Sequence, residues 1–364
     1  MRTRTVVIAP DSFKGSAAAA DVARWIGEGW AERRPGDDIR RHPMADGGEG
    51  TMAALESAMP GVERHPVVVP GPTGQPVSTW WVGIPAPDGS VTGLVELAAT
   101  SGLTLAAPAP LDAGTAGVGH AIRAALEAGV DEIAVAVGGS ASTDGGAGLL
   151  TALGASIRDQ DGRPIPPGAR GLATAESLDL ARLLSPPPGG VRILADVTNP
   201  LLGERGAAAV FGPQKGASPA DVVAMDRALA GFAGMVGVDP ATPGAGAAGG
   251  AAYALLAWGG RMTSGAAFVA ERSGLLDAMH RADVVVTGEG RFDEQSAHGK
   301  VVGFLMDAAT SPLLLAAGGI AAPTERFAAA VALSELSGSV AAAIADPEPY
   351  LREAGRRLAA AFPA

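Results

Sequence analysis

Apolar residues in the first 60 positions follow two rhythms. "TVVIAP" (Thr5–Pro10) is a short continuous apolar run, as expected of a strand covered on both faces. Val22, Ile26 and Trp30 then recur at i, i+4 and i+8, which predicts a helix running to about Arg34 with Ser16 as its cap. "PGDD" stops that helix, "IRRHP" predicts a second strand and "GTMAALESAM" a second helix. From His65 to Glu96 the texture changes to strand runs separated by Gly/Pro turns, which predicts a small antiparallel sheet.

Helix and strand patterns then return. "TAGVGHAIRAALEAG" and "GGAGLLTALG" read as helices, "EIAVAVGG" and "GGVRILADV" as strands. "SPADVVAMDRALAGFAGMVG" opens with Ser218 as cap, Pro219 at the first helical position and Asp221 at capping-box spacing. After Ala282 the alternation resumes through "DVVVTGEG", "PLLLAAGG" and "AAAVALSEL" to a closing helix near "YLREAGRRLAAAF". Two strands at the start and three at the end predict one open sheet of five parallel strands, interrupted by an inserted domain. The expected division is residues 1–63 plus 281–364 for the first domain and 64–280 for the insertion. A length of 364 residues agrees, since a single core stops growing at roughly 250–300.

Composition narrows the chemistry. A net charge of −11 argues against a nucleic-acid surface, which needs clustered positive charge. The absence of cysteine removes disulfides, thiolate nucleophiles and Cys-based metal sites. The first apolar run is too short for a signal-peptide core, and the uncharged stretch Gly244–Gly260 is shorter and more glycine-rich than a membrane span. These features predict a soluble cytoplasmic chain with no membrane partner. Only three of the 27 basic Lys and Arg residues are lysines: Lys14, Lys215 and Lys300, each beside a glycine. In an arginine-using chain, lysine is expected to persist where a compact ammonium does what a guanidinium cannot.

Polar groups gather after the strands. "PDSFKGS" carries Asp11, Ser12 and Lys14; "MADGGEG" carries Asp46 and Glu49. "GGSASTDGGAG" offers Gly138, Gly139, Gly145 and Gly146 for close backbone approach, the hydroxyls of Ser140, Ser142 and Thr143, and Asp144, before a helix start. "DVTNP" holds Asp196 and Asn199, the only asparagine; "TGEGRFDEQSAHGK" holds Glu289, Arg291, Asp293, Gln295, Ser296 and Lys300. Asp46 and Asp144 read equally well as turn or cap residues, and Asp293 as the cap of a helix near Gln295. His298 reads as a helix-end or surface residue, the other four histidines show no metal spacing, and Trp80–Trp81 reads as sheet packing. There is no P-loop, and "GAGAAG" (Gly244–Gly249) lacks the preceding strand a dinucleotide fingerprint requires. Three selected lysines, several carboxylates and a Gly/Ser anion cradle suit phosphoryl transfer, where catalysis is chiefly positioning and charge neutralisation.

The motifs "APDSFKGS", "ADGGEGT", "GGSASTDGGAG", "DVTNPLLG", "AVFGPQKGA", "PGAGAAGG" and "TGEGRFDEQSAHGK" resemble, in order and over almost the whole chain, those of the bacterial glycerate kinase family. The resemblance implies an α/β fold with a flavodoxin-like parallel sheet built from both chain ends and an inserted restriction-endonuclease-like mixed-sheet domain. It implies a glycerate 2-kinase that uses ATP and Mg²⁺ to convert D-glycerate to 2-phosphoglycerate. The alternatives are a kinase of another small hydroxy acid, a 3-phosphoglycerate-forming enzyme, or a silent binding protein on the same fold. On that reading Asp196 is the first choice for general base or Mg²⁺ ligand, with Asp293 second and Asp46 third, and Lys215 and Lys300 neutralise charge in transfer. Ser12 and Lys14 hold the glycerate carboxylate or the moving phosphoryl group. Asp46, Glu49, Asn199, Arg291, Gln295 and Ser296 complete the substrate side, and the Gly138–Gly146 loop takes the nucleotide phosphates. The partner is the small-molecule substrate, with self-association left open. The chain departs from the family pattern at Ser142-Thr143, where Thr-Asn is frequent, and at "AAGGI" after the shortened segment following Lys300.

Overall fold

A computed structural model describes residues 3–297 and 300–362. In chain order the strands are β1 (Thr5–Ile8), β2 (Asp38–Arg41), β3 (Glu63–Pro70), β4 (Pro76–Pro85) and β5 (Val91–Glu96). Then come β6 (Glu132–Ala136), β7 (Ser156–Arg158), β8 (Ser177–Asp179), β9 (Val191–Leu194) and β10 (Gly260–Thr263). The last three are β11 (Val284–Phe292), β12 (Leu313–Ile320) and β13 (Ala329–Ala332). Two compact units result, one of Met1–Asp46, Ala53–Pro60 and Ser264–Ala364, the other of Gly47–Met52 and Gly61–Thr263.

The first unit holds an all-parallel sheet in the order β13-β12-β11-β1-β2. Counted within the unit this is the flavodoxin-like order 2-1-3-4-5, so the two-plus-three strand count from the sequence describes one sheet. Val6, Ile8, Val284, Val286 and Leu314 are fully buried at its centre. The helices Ala19–Arg33 and Pro347–Ala361 pack together through paired glycines. A Cβ at Gly29 would strike the carbonyl of Arg352, and one at Gly355 the carbonyl of Ile26, so both helices need the missing side chain to approach. The first of these helices starts two residues later than a Ser16 cap would place it. Ala18 stands at the cap and makes no side-chain bond, while the Ser16 hydroxyl is buried inside the preceding turn.

The second unit is built on a six-stranded mixed sheet, β10-β9-β6-β5-β4-β3. The β3-β4-β5 meander is antiparallel, as the Gly/Pro turns predict, and β5, β6, β9 and β10 run parallel. Its core joins Val95, Ile133, Val135 and Ile193 to Ile122 of the helix Ala116–Glu127 and to Leu229 and Phe232 of the helix Pro219–Val236. That last helix carries the predicted capping box: Ser218 accepts from Asp221 N–H, and the Asp221 carboxylate accepts from Ser218. The Trp80–Trp81 pair is sheet packing, with Trp81 buried and stacked on the His65 ring at 4.0 Å.

Candidate active site

In the first unit the strand order reverses between β1 and β11, the place where open α/β sheets leave a crevice beyond their carboxyl ends. Asp11 follows β1 there, and its N–H donates to Gly288 O at 2.8 Å. The buried Thr287 hydroxyl donates to Ala9 O at 3.1 Å, locking the two strand ends together. Asp11 is thereby set beside Glu289, while Met44 N–H donates to Pro10 O at 2.9 Å and draws the segment ending in Asp46 alongside. Ser12 N–H donates to Asp11 Oδ1 at 2.6 Å. The chain then turns tightly through Phe13–Ala17, with Gly15 at φ +77°, and leaves Lys14 exposed at the tip.

Three carboxylates gathered at one sheet end repel one another. Burial first, then the charge of Asp46, then that of Glu289 push the Asp11 carboxyl up to about 7, against the favourable Ser12 bond. Burial also pushes Glu289 up to about 7, with Asp293 and Asp46 adding and Ser296 and Lys300 opposing. Glu289 is 8% exposed, and its Oε1 has no hydrogen-bond partner among the described residues.

The remaining first-unit candidates divide. Asp293 Oδ1 accepts from Gln295 N–H at 3.0 Å and its Oδ2 lies 3.4 Å from Arg291 Nε, so it serves the short turn Glu294–Ala297 as a cap. Ser296 is buried and donates to Arg291 O. Arg291 and Gln295 are exposed, and Lys300 precedes the helix Val301–Ala308. His298 lies outside the described residues.

In the second unit the loop after β6 is a closed, internally bonded structure. Asp144, 1% exposed, accepts from Thr115 N–H and hydroxyl and from the N–H groups of Gly146 and Gly148. Its carboxyl is raised by burial, which outweighs those four bonds. Ser140 and Ser142 hydroxyls lie 3.1 Å apart, and Ser140 reaches Ala248 O at 3.3 Å. The "GAGAAG" segment is therefore the loop's inner wall. Gly145 N–H donates to Gly249 O at 3.0 Å, and Ala248 takes φ +55° to make the fit.

Lys215 comes up beneath this loop. It is 2% exposed, and its ammonium donates to Ser142 O and to Ser140 Oγ. Burial brings its pKa down to about 7, opposed by the charge of Asp144. The Thr143 hydroxyl is also buried, with no partner among the described residues. Gly138, half-buried, packs on Gly48, where a Cβ would stand 2.6 Å from the Gly48 Cα; Gly139 takes φ +79°.

Asn199 is structural in its contacts, its Nδ2 donating to Arg205 O at 2.8 Å. Asp196 follows β9, half-buried. Glu49 is exposed, but the turn that carries it is gripped by Glu96, which the sequence reading passes over. Glu96 is 5% exposed, accepts from Gly50 N–H at 3.0 Å and Met52 N–H at 3.1 Å, and is raised by burial. The available signal was a lone carboxylate ending an otherwise apolar strand. Among the described residues no three His, Asp or Glu side chains converge as a metal cage.

A carboxylate group at a sheet switch point, and a buried lysine under a Gly/Ser loop, define an α/β enzyme that handles a small charged substrate. The comparisons make the class specific. The model of the glycerate kinase family matches residues 6–363, and the chain belongs to that family. It is 44% identical over 307 residues to the glycerate 2-kinase of Escherichia coli (strain K12), covering 81% of this chain and 79% of that one. It is 41% identical over 307 residues to the glycerate kinase of Bacillus subtilis (strain 168), with the same two coverages. The crystal structure of a candidate glycerate kinase 2 from Salmonella typhimurium LT2 matches with a TM-score of 0.82 at 37% identity, over 99% of this chain and 98% of that one. The chain is a kinase, and its family implies the use of ATP.

Proposed function

We propose that this chain phosphorylates D-glycerate with ATP to give 2-phosphoglycerate. The observation that carries the reading is the 44% identity to a glycerate 2-kinase, on a chain with seven family motifs, five of which lie at or just after strand ends. In the first unit, Lys14 at its exposed turn tip and Ser12 bind the glycerate carboxylate, and Lys300 lends charge to the moving phosphoryl group. Asp46, Arg291, Gln295 and Ser296 shape the acceptor side, and Glu49, in the second unit, is a further substrate-binding candidate. In the second unit, the Gly138–Gly146 loop takes the nucleotide phosphates on its backbone N–H groups, and Lys215 supplies positive charge beneath it. Asn199 and Asp144 act as supports, holding the turn and the loop that carry their neighbours.

Mg²⁺ suits this donor set. It is bound by one or two carboxylates completed by substrate phosphates, so the lack of a three-carboxylate cage among the described residues is compatible with it. Asp196, a half-buried carboxylate at the end of β9, is the residue we assign to it. When bound, the ion neutralises charge on the phosphate oxygens. We assign the reaction to the cytoplasm, where ATP is supplied.

The test is ADP release from purified protein with ATP and Mg²⁺, comparing D-glycerate with L-glycerate, lactate and glycolate. D-glycerate is expected to give the highest kcat/KM, and EDTA to stop the reaction. A preference for another hydroxy acid would overturn the substrate assignment.

A further inference from the structure

Phosphorylating an alcohol requires something to take its proton, and the structure offers a residue that the motif reading left without a role. Of the three carboxylates first considered, Asp196 is assigned to the metal and Asp46 to the acceptor side above, and Asp293 caps its turn through Oδ1 and meets Arg291 through Oδ2. Asp11 has Oδ1 engaged by Ser12 N–H at 2.6 Å. Glu289 differs. It stands in the last half of β11, three residues past the last pairing with β1 and so beside the β1–β11 switch point, is more than nine-tenths buried, and keeps Oε1 unspent among the described residues. The turn bearing Lys14 runs close by, since a Cβ on Gly290 would lie 3.6 Å from Lys14 N.

We infer that Glu289 is the general base of the reaction, a role that rests on the kinase reading above. The acceptor hydroxyl oxygen bonds to the γ-phosphorus of ATP as its O–H proton passes to the Glu289 carboxylate. The P–O bond to ADP breaks, and its electron pair leaves on the β-phosphate oxygen. The proton is then shed to solvent as product departs. Asp11, Asp46 and Asp293 face Glu289 and favour its protonated form, whereas Lys300 and Ser296 favour the ionised form. Burial above all, and then these neighbours, hold its affinity for a proton near neutrality, where a base works best.

The experiment compares wild type with Glu289→Gln and Glu289→Asp by steady-state kinetics across pH, using ATP, Mg²⁺ and D-glycerate. Glu289→Gln removes a buried charge without changing shape, so it is expected to melt no lower than wild type at pH 8. Wild-type kcat/KM should rise with pH through about 7. Glu289→Gln should lose about 10²–10⁴ in kcat and lose that limb, while Glu289→Asp keeps the limb at reduced kcat. KM for both substrates should move by less than about threefold. A Glu289→Gln variant that keeps its kcat, keeps the limb, or changes only KM overturns the role of Glu289 alone. A wild-type protein making no phosphoglycerate overturns both this role and the kinase reading.

Discussion

Asp144 Oδ2 accepts two hydrogen bonds from a single residue, Thr115, one from its N–H at 2.9 Å and one from its hydroxyl at 2.8 Å. The same hydroxyl accepts from Leu149 N–H at 2.9 Å. Thr115 thus stitches the start of one helix to the start of the next through a carboxylate that solvent does not reach. Thr115→Val keeps the shape and deletes the hydroxyl, leaving a buried N–H and a buried carboxylate each short of a partner. It should destabilise by about 2–4 kcal/mol in urea unfolding, and an unchanged midpoint would show the stitch to be dispensable.

Gly249 stands where a side chain cannot. It takes φ +66°, and a Cβ there would collide with the Ser142 carbonyl. Gly249→Ala should cost more than about 2 kcal/mol and displace the Ser140–Thr143 turn. Thermal melting, with kinetics on whatever remains folded, reads both effects.

Lys215 spends its ammonium on Ser142 O and Ser140 Oγ under the loop. Lys215→Met should remain folded, because it removes a charge that burial disfavours, yet lose on the order of 10²–10³ in kcat. Lys215→Arg should not restore activity, since the fully enclosed pocket fits a point charge and not a planar fork. Circular dichroism and turnover of the two variants separate these outcomes.

Three groups with large shifts contribute to the pH dependence of stability in ligand-free protein. Asp11 and Glu289 have native values near 7 against ordinary values of 3.8 and 4.5. Between those limits the native state holds protons that the unfolded chain has lost, so stability falls as pH rises toward 7. Lys215 is brought from 10.5 down to about 7. There the unfolded chain holds the extra proton, so stability rises with pH from 7 to about 10. The stability difference between wild type and Glu289→Gln should therefore move against wild type from pH 5 to 7. That between wild type and Lys215→Met should move in its favour from pH 7 to 10, each by at most about 1.4 kcal/mol per pH unit. Denaturant melts of each pair across pH measure both slopes.

The parallel sheet was legible because its strands, apart from the polar edge strand β2, open as continuous apolar runs, whose number and order leave few topologies. The meander was legible from its Gly/Pro punctuation. The site was legible by motif but less so by function. "SASTDGG" carries hydroxyls and a carboxylate that suit a phosphate cradle, yet Asp144 and the two serines are buried in bonds within the unit. Nothing local distinguishes a carboxylate that binds a ligand from one that caps a helix, because the partner Thr115 lies 29 residues away. Glu96 grips a turn 46 residues before it, a pairing created only by the fold. Ala248 adopts a left-handed conformation that its sequence does not announce, imposed by packing against Ser140.

The most direct test of the account is ³¹P NMR of purified protein incubated with ATP, Mg²⁺ and D-glycerate, read against standards of both phosphoglycerates. The account predicts a 2-phosphoglycerate resonance growing in step with ADP. A 3-phosphoglycerate resonance would contradict the position of transfer, and no phosphoglycerate from folded protein would contradict the kinase assignment itself.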